Sequence, residues 1–214
     1  MEINFVKSNC VRIGDRFKNV PPPIQVSVHS ISWVNEINYL GVYFSSGKKL
    51  VCNWAPARRK FFAALNNLLF TIGSYPNIAV SLQLFNYVCF PILSYGLCAF
   101  TLTKQEISQI SFAYNNFFHK LFKVSDSNNI ASCQFFCGIW SLSTLYDYLR
   151  ITFILTTMKH DCFIDRNAPF SQEYSDICVL MKKYDIAFYD SPKTIKYKIN
   201  NIYFANELSS LNHV

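Results

Sequence analysis

The chain has 214 residues, 51% of them hydrophobic and 15% charged, with a formal net charge of +7. That excludes a chain too polar to build a core and leaves little polar surface to cover one, since typical soluble domains carry roughly 25% charged residues. The cation excess favours an anionic partner, nucleic acid or a membrane surface. Phe, Tyr, Ile, Asn and Lys share A/T-rich codons, however, so the placement of charge says more than its total.

The first fifty residues read as β. In "CVRIG" (10–14) Val11 and Ile13 share a face, and "IQVSV" (24–28) places Ile24, Val26 and Val28 together. "ISWV" adds Ile31 and Trp33, and "YLGVYF" adds Leu40, Val42 and Phe44, which are expected to point inward. Prolines 21–23 cannot sit in a central strand and mark a loop. Asn35 to Asn38 is the expected turn between two antiparallel strands, and Gly41, mid-strand, leaves room for a backbone or ligand to come close.

Beyond Val51 the pattern turns helical. Asn53 is the expected cap of a helix through "ARRKFFAALNNLLFTIG", with Pro56 tolerated in its first turn. A second helix is predicted over 78–95, bent at Pro91. Thr103 and Glu106 form a capping box for a third, whose stripe is Ile107, Ile110, Tyr114, Phe117, Phe118 and Leu121. Its last turns carry His119, Lys120 and Lys123, well placed for the helix dipole. Ser143 or Thr144 starts a helix through Met158, and "DRNAP" (165–169) is a break. Two more helices follow, at 171–184 and at 192–207 with Ser191 as cap and Pro192 in first position. The fold class is therefore α+β: a small antiparallel sheet, then a helical bundle.

Several chemistries fail on spacing. "GVYFSSGKKL" resembles a phosphate-binding loop, but five residues separate Gly41 from Gly47, and Lys49 replaces the Ser or Thr that would hold magnesium. The four histidines (29, 119, 160, 213) match no nucleophilic signature. Thirteen carboxylates are scattered, with no adjacent Asp-Asp pair to hold two metal ions. Cys133, Cys137, His160 and Cys162 lack zinc spacing. No cofactor and no small-molecule substrate are expected. "MEINFVKSNC" is no secretory signal, so the eight cysteines are expected to be reduced thiols in an intracellular protein, nuclear or cytoplasmic.

One stretch points elsewhere. No charged residue lies between Lys60 and Lys104, and "LFNYVCFPILSYGLCAFTL" (84–102) is long enough to span a bilayer. Asn86 and Ser94 interrupt it and Pro91 and Gly96 break it, so a buried core helix is expected. The alternative is a membrane-associated or protein-interaction module that uses residues 78–100.

What remains is cationic. Lys48, Lys49, Arg58, Arg59 and Lys60 follow one another with no acid between residues 45 and 60. Lys7, Arg12, Arg16 and Lys18 precede them. Cations fringed by Tyr43, Trp54, Phe61 and Phe62 suit a groove that tracks a nucleic-acid backbone and stacks bases.

The order of these pieces resembles the downstream part of reverse transcriptases from non-LTR (LINE-type) retrotransposons. The resemblance runs through "INFVKSNCVRIGDRF", "ISWVNEINYLGVYF", "RRKFFAALNNL", "LFNYVCFPILSYGL" and "LTKQEISQISFAYNNFFHKLFKV", over roughly residues 2–140. It is most specific at Asn4, Lys7, Ser8, Gly14, Tyr39, Leu40, Gly41, Pro91, Tyr95 and Gly96. It implies a palm-edge β remnant at 1–52 with a hairpin that grips the primer, a thumb-like helical domain at 53–130, and a helical extension at 131–214. It also implies that Lys7 lies beside the incoming triphosphate, and that Lys7, Arg12, Tyr39, Gly41, Lys48, Lys49, Arg58, Arg59 and Lys60 contact RNA, DNA or their hybrid. The family's magnesium-binding aspartates have no counterpart in this sequence. The expectation is thus a catalytically incomplete fragment, inactive as an RNA-directed DNA polymerase without the missing palm and fingers. It requires the early strands to form one sheet and Arg58 to Lys60 to face a groove.

Overall fold

The computed structural model describes residues 4–5, 7–19, 21–26, 28–73, 76–159 and 172–211. The break expected at 165–169, together with His160, Cys162 and His213, lies outside them. The chain is α+β and divides into two compact units, Met1–Arg59 and Lys60–Val214.

The first unit holds two small antiparallel sheets where one was expected. Strands β1 (Ile24–Val26) and β2 (His29–Ile31) pair as a short hairpin, with Val26 opposite His29. The run expected to continue to residue 28 stops because the chain turns there, and Val28 is 94% exposed. Strands β3 (Glu36–Tyr39), β4 (Val42–Ser45) and β5 (Val51–Cys52) form the second sheet in that order. Residues 10–14 do not form a strand but stitch the two sheets. Cys10 bridges to Trp33 and Ile13 to Gly47, both in parallel sense, and Cys10 donates to Ser32 while accepting from Val34.

The hairpin corrects a second expectation. Of residues 35–38, expected to turn, 36–38 lie in β3, and the turn falls at Leu40-Gly41 inside the expected strand. Both residues have positive φ, 49° and 83°, as a two-residue hairpin loop matching the strand twist requires. Asn38 Oδ1 accepts the Gly41 amide and closes the loop at 3.1 Å. Leu40 consequently does not point inward but is 73% exposed, while Val42 and Phe44 are half-buried.

Helix α1 (Ala55–Ile72) starts where Asn53 Oδ1 accepts the Ala55 amide at 3.0 Å. In the second unit, α2 (Ile78–Leu84) runs into a π turn (Phe85–Cys89) and α3 (Phe90–Ser94). Pro91 has no N–H to give to the preceding turn, and the widened turn just upstream absorbs that loss. Helix α4 (Lys104–Phe122) carries the full capping box: Glu106 Oε2 accepts the Thr103 amide at 2.8 Å and Thr103 Oγ1 accepts the Glu106 amide at 3.3 Å. Its expected stripe is the core, with Ile110, Tyr114, Phe117, Phe118 and Leu121 buried. Phe85 from the π turn stacks on Phe117 with ring centroids 4.0 Å apart, and Phe61 meets Phe85 edge-on at 6.1 Å.

Helix α5 (Ser127–Phe136) was not expected; Asp126 caps it by accepting from Asn128 and Asn129. Helices α6 (Leu142–Lys159), α7 (Gln172–Lys183) and α8 (Pro192–Leu211) close around Trp140, Ile151, Ile177, Ile195 and Ile199. Helix α6 is also tied to residues 98–102. Buried Arg150 donates to the Cys98 carbonyl at 2.8 Å and to Thr101 at 2.9 Å, and Tyr146 donates to the Phe100 carbonyl at 2.7 Å.

Candidate nucleic-acid interface

The cations of the first unit sit on short loops held by polar clamps. Asn4 nucleates the N-terminal turn: its side chain and carbonyl accept from the Lys7 amide, and its carbonyl accepts from Ser8 Oγ at 2.9 Å. The Lys7 side chain is left exposed. Arg12 is half-buried, and its guanidinium donates to the Asn19 carbonyl, so it closes the loop over residues 14–19. A shallow cleft beside it is lined by Phe17, Pro21, Trp33, Asn35 and Ser46.

Lys48 and Lys49 occupy the β4–β5 loop, both exposed. The loop is pinned where Gly14 donates to the Gly47 carbonyl at 2.9 Å and Ser46 Oγ donates to the Arg12 carbonyl at 2.9 Å. Arg58 and Arg59 lie in the first turns of α1, half-exposed and exposed, and Lys60 follows on the exposed side. These positions fall away from Phe61, Leu65 and Leu68, the buried stripe of the same helix.

Glu36, the one acid on the three strands of the second sheet, accepts Asn53 Nδ2 at 2.6 Å and Ser45 Oγ at 3.2 Å. It ties β3 and β4 to the start of α1. Among the described residues Lys7, Lys48, Lys49, Arg58, Arg59 and Lys60 make no ion pair. The first turn of α1 holds no acid either, so cations sit at the helix end where the dipole disfavours them by a few tenths of a kcal/mol each. An arriving anion relieves that repulsion.

The structure does not gather every expected residue at one point. Tyr39 and Gly41 lie at the hairpin tip, and Lys48 and Lys49 lie past the far end of β4. Four residues of extended chain put them roughly 13 Å apart, about four steps of a nucleic-acid strand at 3.4 Å per step. The arrangement is a tract, not a pocket. Tyr39 and Leu40, at the tip, are 64% and 73% exposed, a feature that sequence reading missed by placing the turn elsewhere.

The apolar stretch behaves differently from a core helix. Ser81, Phe85, Cys89, Leu93 and Leu97, spaced by four, are buried, while Ile78, Val80, Tyr87, Val88 and Tyr95 are exposed. Ile78–Ala99 is long and apolar enough to cross a membrane by length and composition, with 22% of its window buried. No family model matches the chain, and neither a curated protein nor a solved structure matches it.

Proposed function

We propose that these 214 residues bind the sugar–phosphate backbone of RNA, DNA or their hybrid, and do so without polymerase activity of their own. The reading rests on one observation: Lys48, Lys49 and Arg59 are exposed and Arg58 half-exposed, and none of the four makes an ion pair among the described residues. Phosphates are the anions that such a tract of exposed cations suits best. The β segments form two sheets, so the single sheet that the likeness to LINE-type reverse transcriptases requires is not met, and the proposal stands on the exposed cations and not on that likeness.

Double reversal, Arg58→Glu with Arg59→Glu, tests the reading by fluorescence anisotropy on a labelled hybrid duplex across a salt series. Each cation that neutralises a phosphate contributes close to one unit to the log–log salt slope. The variant is expected to bind at least about tenfold more weakly, with the slope shallower by up to about 2. Unchanged affinity and slope in a folded variant would remove the tract from the interface.

A second reading is favoured by the exposed apolar side of α2 and α3. A membrane or protein partner would cover Ile78, Val80, Tyr87, Val88 and Tyr95. Retention of the chain on vesicles after a high-salt wash supports this reading against the first, and complete release into the wash counts against it.

A further inference from the structure

The turn between α7 and α8 carries a second concentration of cations, in a part of the chain whose sequence pointed to no activity. Tyr189 is 87% exposed, Tyr197 67% and Phe188 44%. Lys182, Lys193 and Lys196 are exposed beside them. Lys193 and Tyr197 are four residues apart on α8 and so share one strip of that helix.

The hydrogen bonds around this turn bring loop and helix together. Lys198 Nζ donates to the Asp185 carbonyl at 2.6 Å and to Asp190 Oδ2 at 2.9 Å, drawing residues 185–190 back against the second turn of α8. Two acids near the turn are engaged: Asp190 is held by Lys198 and by the Ala187 amide, and Asp147 by Lys183 and Tyr184, each at 2.7 Å. Lys182, Lys193 and Lys196 are left with no carboxylate partner among the described residues.

We infer that this turn is a binding surface for single-stranded nucleic acid, with Tyr189 and Tyr197 stacking on bases and Lys193 and Lys196 meeting the phosphates between them. Aromatic side chains stack on any base, and lysines at this spacing act as point charges for the backbone, so the surface is sequence-tolerant. A duplex, whose bases are already stacked, gains nothing from the two tyrosines. The surface lies wholly within the second unit and uses none of the residues on which the duplex-backbone reading stands.

The test measures anisotropy of labelled twelve-nucleotide RNA and DNA of matched sequence with the full chain. Lys193→Glu with Lys196→Glu is expected to weaken binding about tenfold or more and to reduce the salt slope by about 1.4, at 0.7 per cation on a single strand. Tyr189→Ala with Tyr197→Ala is expected to weaken it about tenfold per lost stack while leaving the slope unchanged. Tyr189→Phe with Tyr197→Phe keeps the rings and should bind like the unaltered chain, which separates stacking from a folding defect. Equal losses on RNA and DNA are expected, since neither contact reads the ribose hydroxyl. If the lysine and tyrosine pairs both leave single-strand affinity intact, or if the unaltered chain binds no single strand, the inference is overturned. Binding lost through Arg58→Glu with Arg59→Glu but not through these pairs would overturn it while the duplex reading stood.

Discussion

Leu40 is the residue whose conformation asks most for an explanation. A leucine in the left-handed region costs about 1–2 kcal/mol relative to the ordinary helical or extended basins, yet this one also stands in water at the hairpin tip. Replacing it with Asn, which accepts that conformation and makes the favoured Asn-Gly turn, is expected to raise unfolding stability by about 1 kcal/mol in urea titration. The same change should weaken hybrid-duplex binding if the tip touches nucleic acid. A variant that is no more stable would show that the turn bears no strain. Asp190 carries a different kind of information. The Ala187 amide first, and then Lys198, hold its carboxyl below the ordinary range. A carboxylate lowered by folding stabilises the native state above its unfolded pKa, about 4, and that contribution is lost as pH falls through the lower folded value. The unaltered chain should therefore lose its advantage over Asp190→Asn as pH drops below about 4, read from urea midpoints. A gap that stays constant with pH would contradict the assignment.

Elements differ in how locally they are specified. Helix α4 is specified twice over, by its capping box and by a buried stripe at three-and-four spacing. Thr103→Ala is expected to cost about 1 kcal/mol, and the added loss from Glu106→Ala should be smaller in that background than alone, because the two side chains serve each other. Strict additivity in thermal denaturation would mean that the box does not act as a unit. Helix α8 was equally legible: Ser191 Oγ accepts the Thr194 amide at 3.2 Å with Pro192 in first position. Helix α6 begins one or two residues earlier than expected, since Ser141 rather than Ser143 or Thr144 supplies the capping oxygen. Helix α5 went unread because Ile130 and Gln134 are its fully buried residues, too few to print a stripe, and its one clear signal was the Asp126 cap.

At the scale of the molecule, burial governs the chemistry of the thiols. No disulfide joins any two of the seven cysteines within the described residues. Burial pushes the Cys89 and Cys98 thiols up, and burial followed by the neighbouring Cys133 does so for Cys137. Thiolates are the reactive form, so these three should alkylate more slowly in the native chain than in urea at the same pH, followed by mass spectrometry. Equal rates would mean that their surroundings open readily. The amino-acid sequence by itself determined the α+β order, the starts of α4 and α8 and the position of every cation along the chain, because helix caps and apolar stripes act over three or four residues and a charge is a property of the residue that bears it. Tertiary structure alone decided that the early strands form two sheets, that the hairpin turns at Leu40-Gly41, that Glu36 binds Asn53 and Ser45 and that the outer side of residues 78–95 is left uncovered. Strand pairing and burial depend on neighbours distant in the chain, and no periodicity records which neighbour arrives.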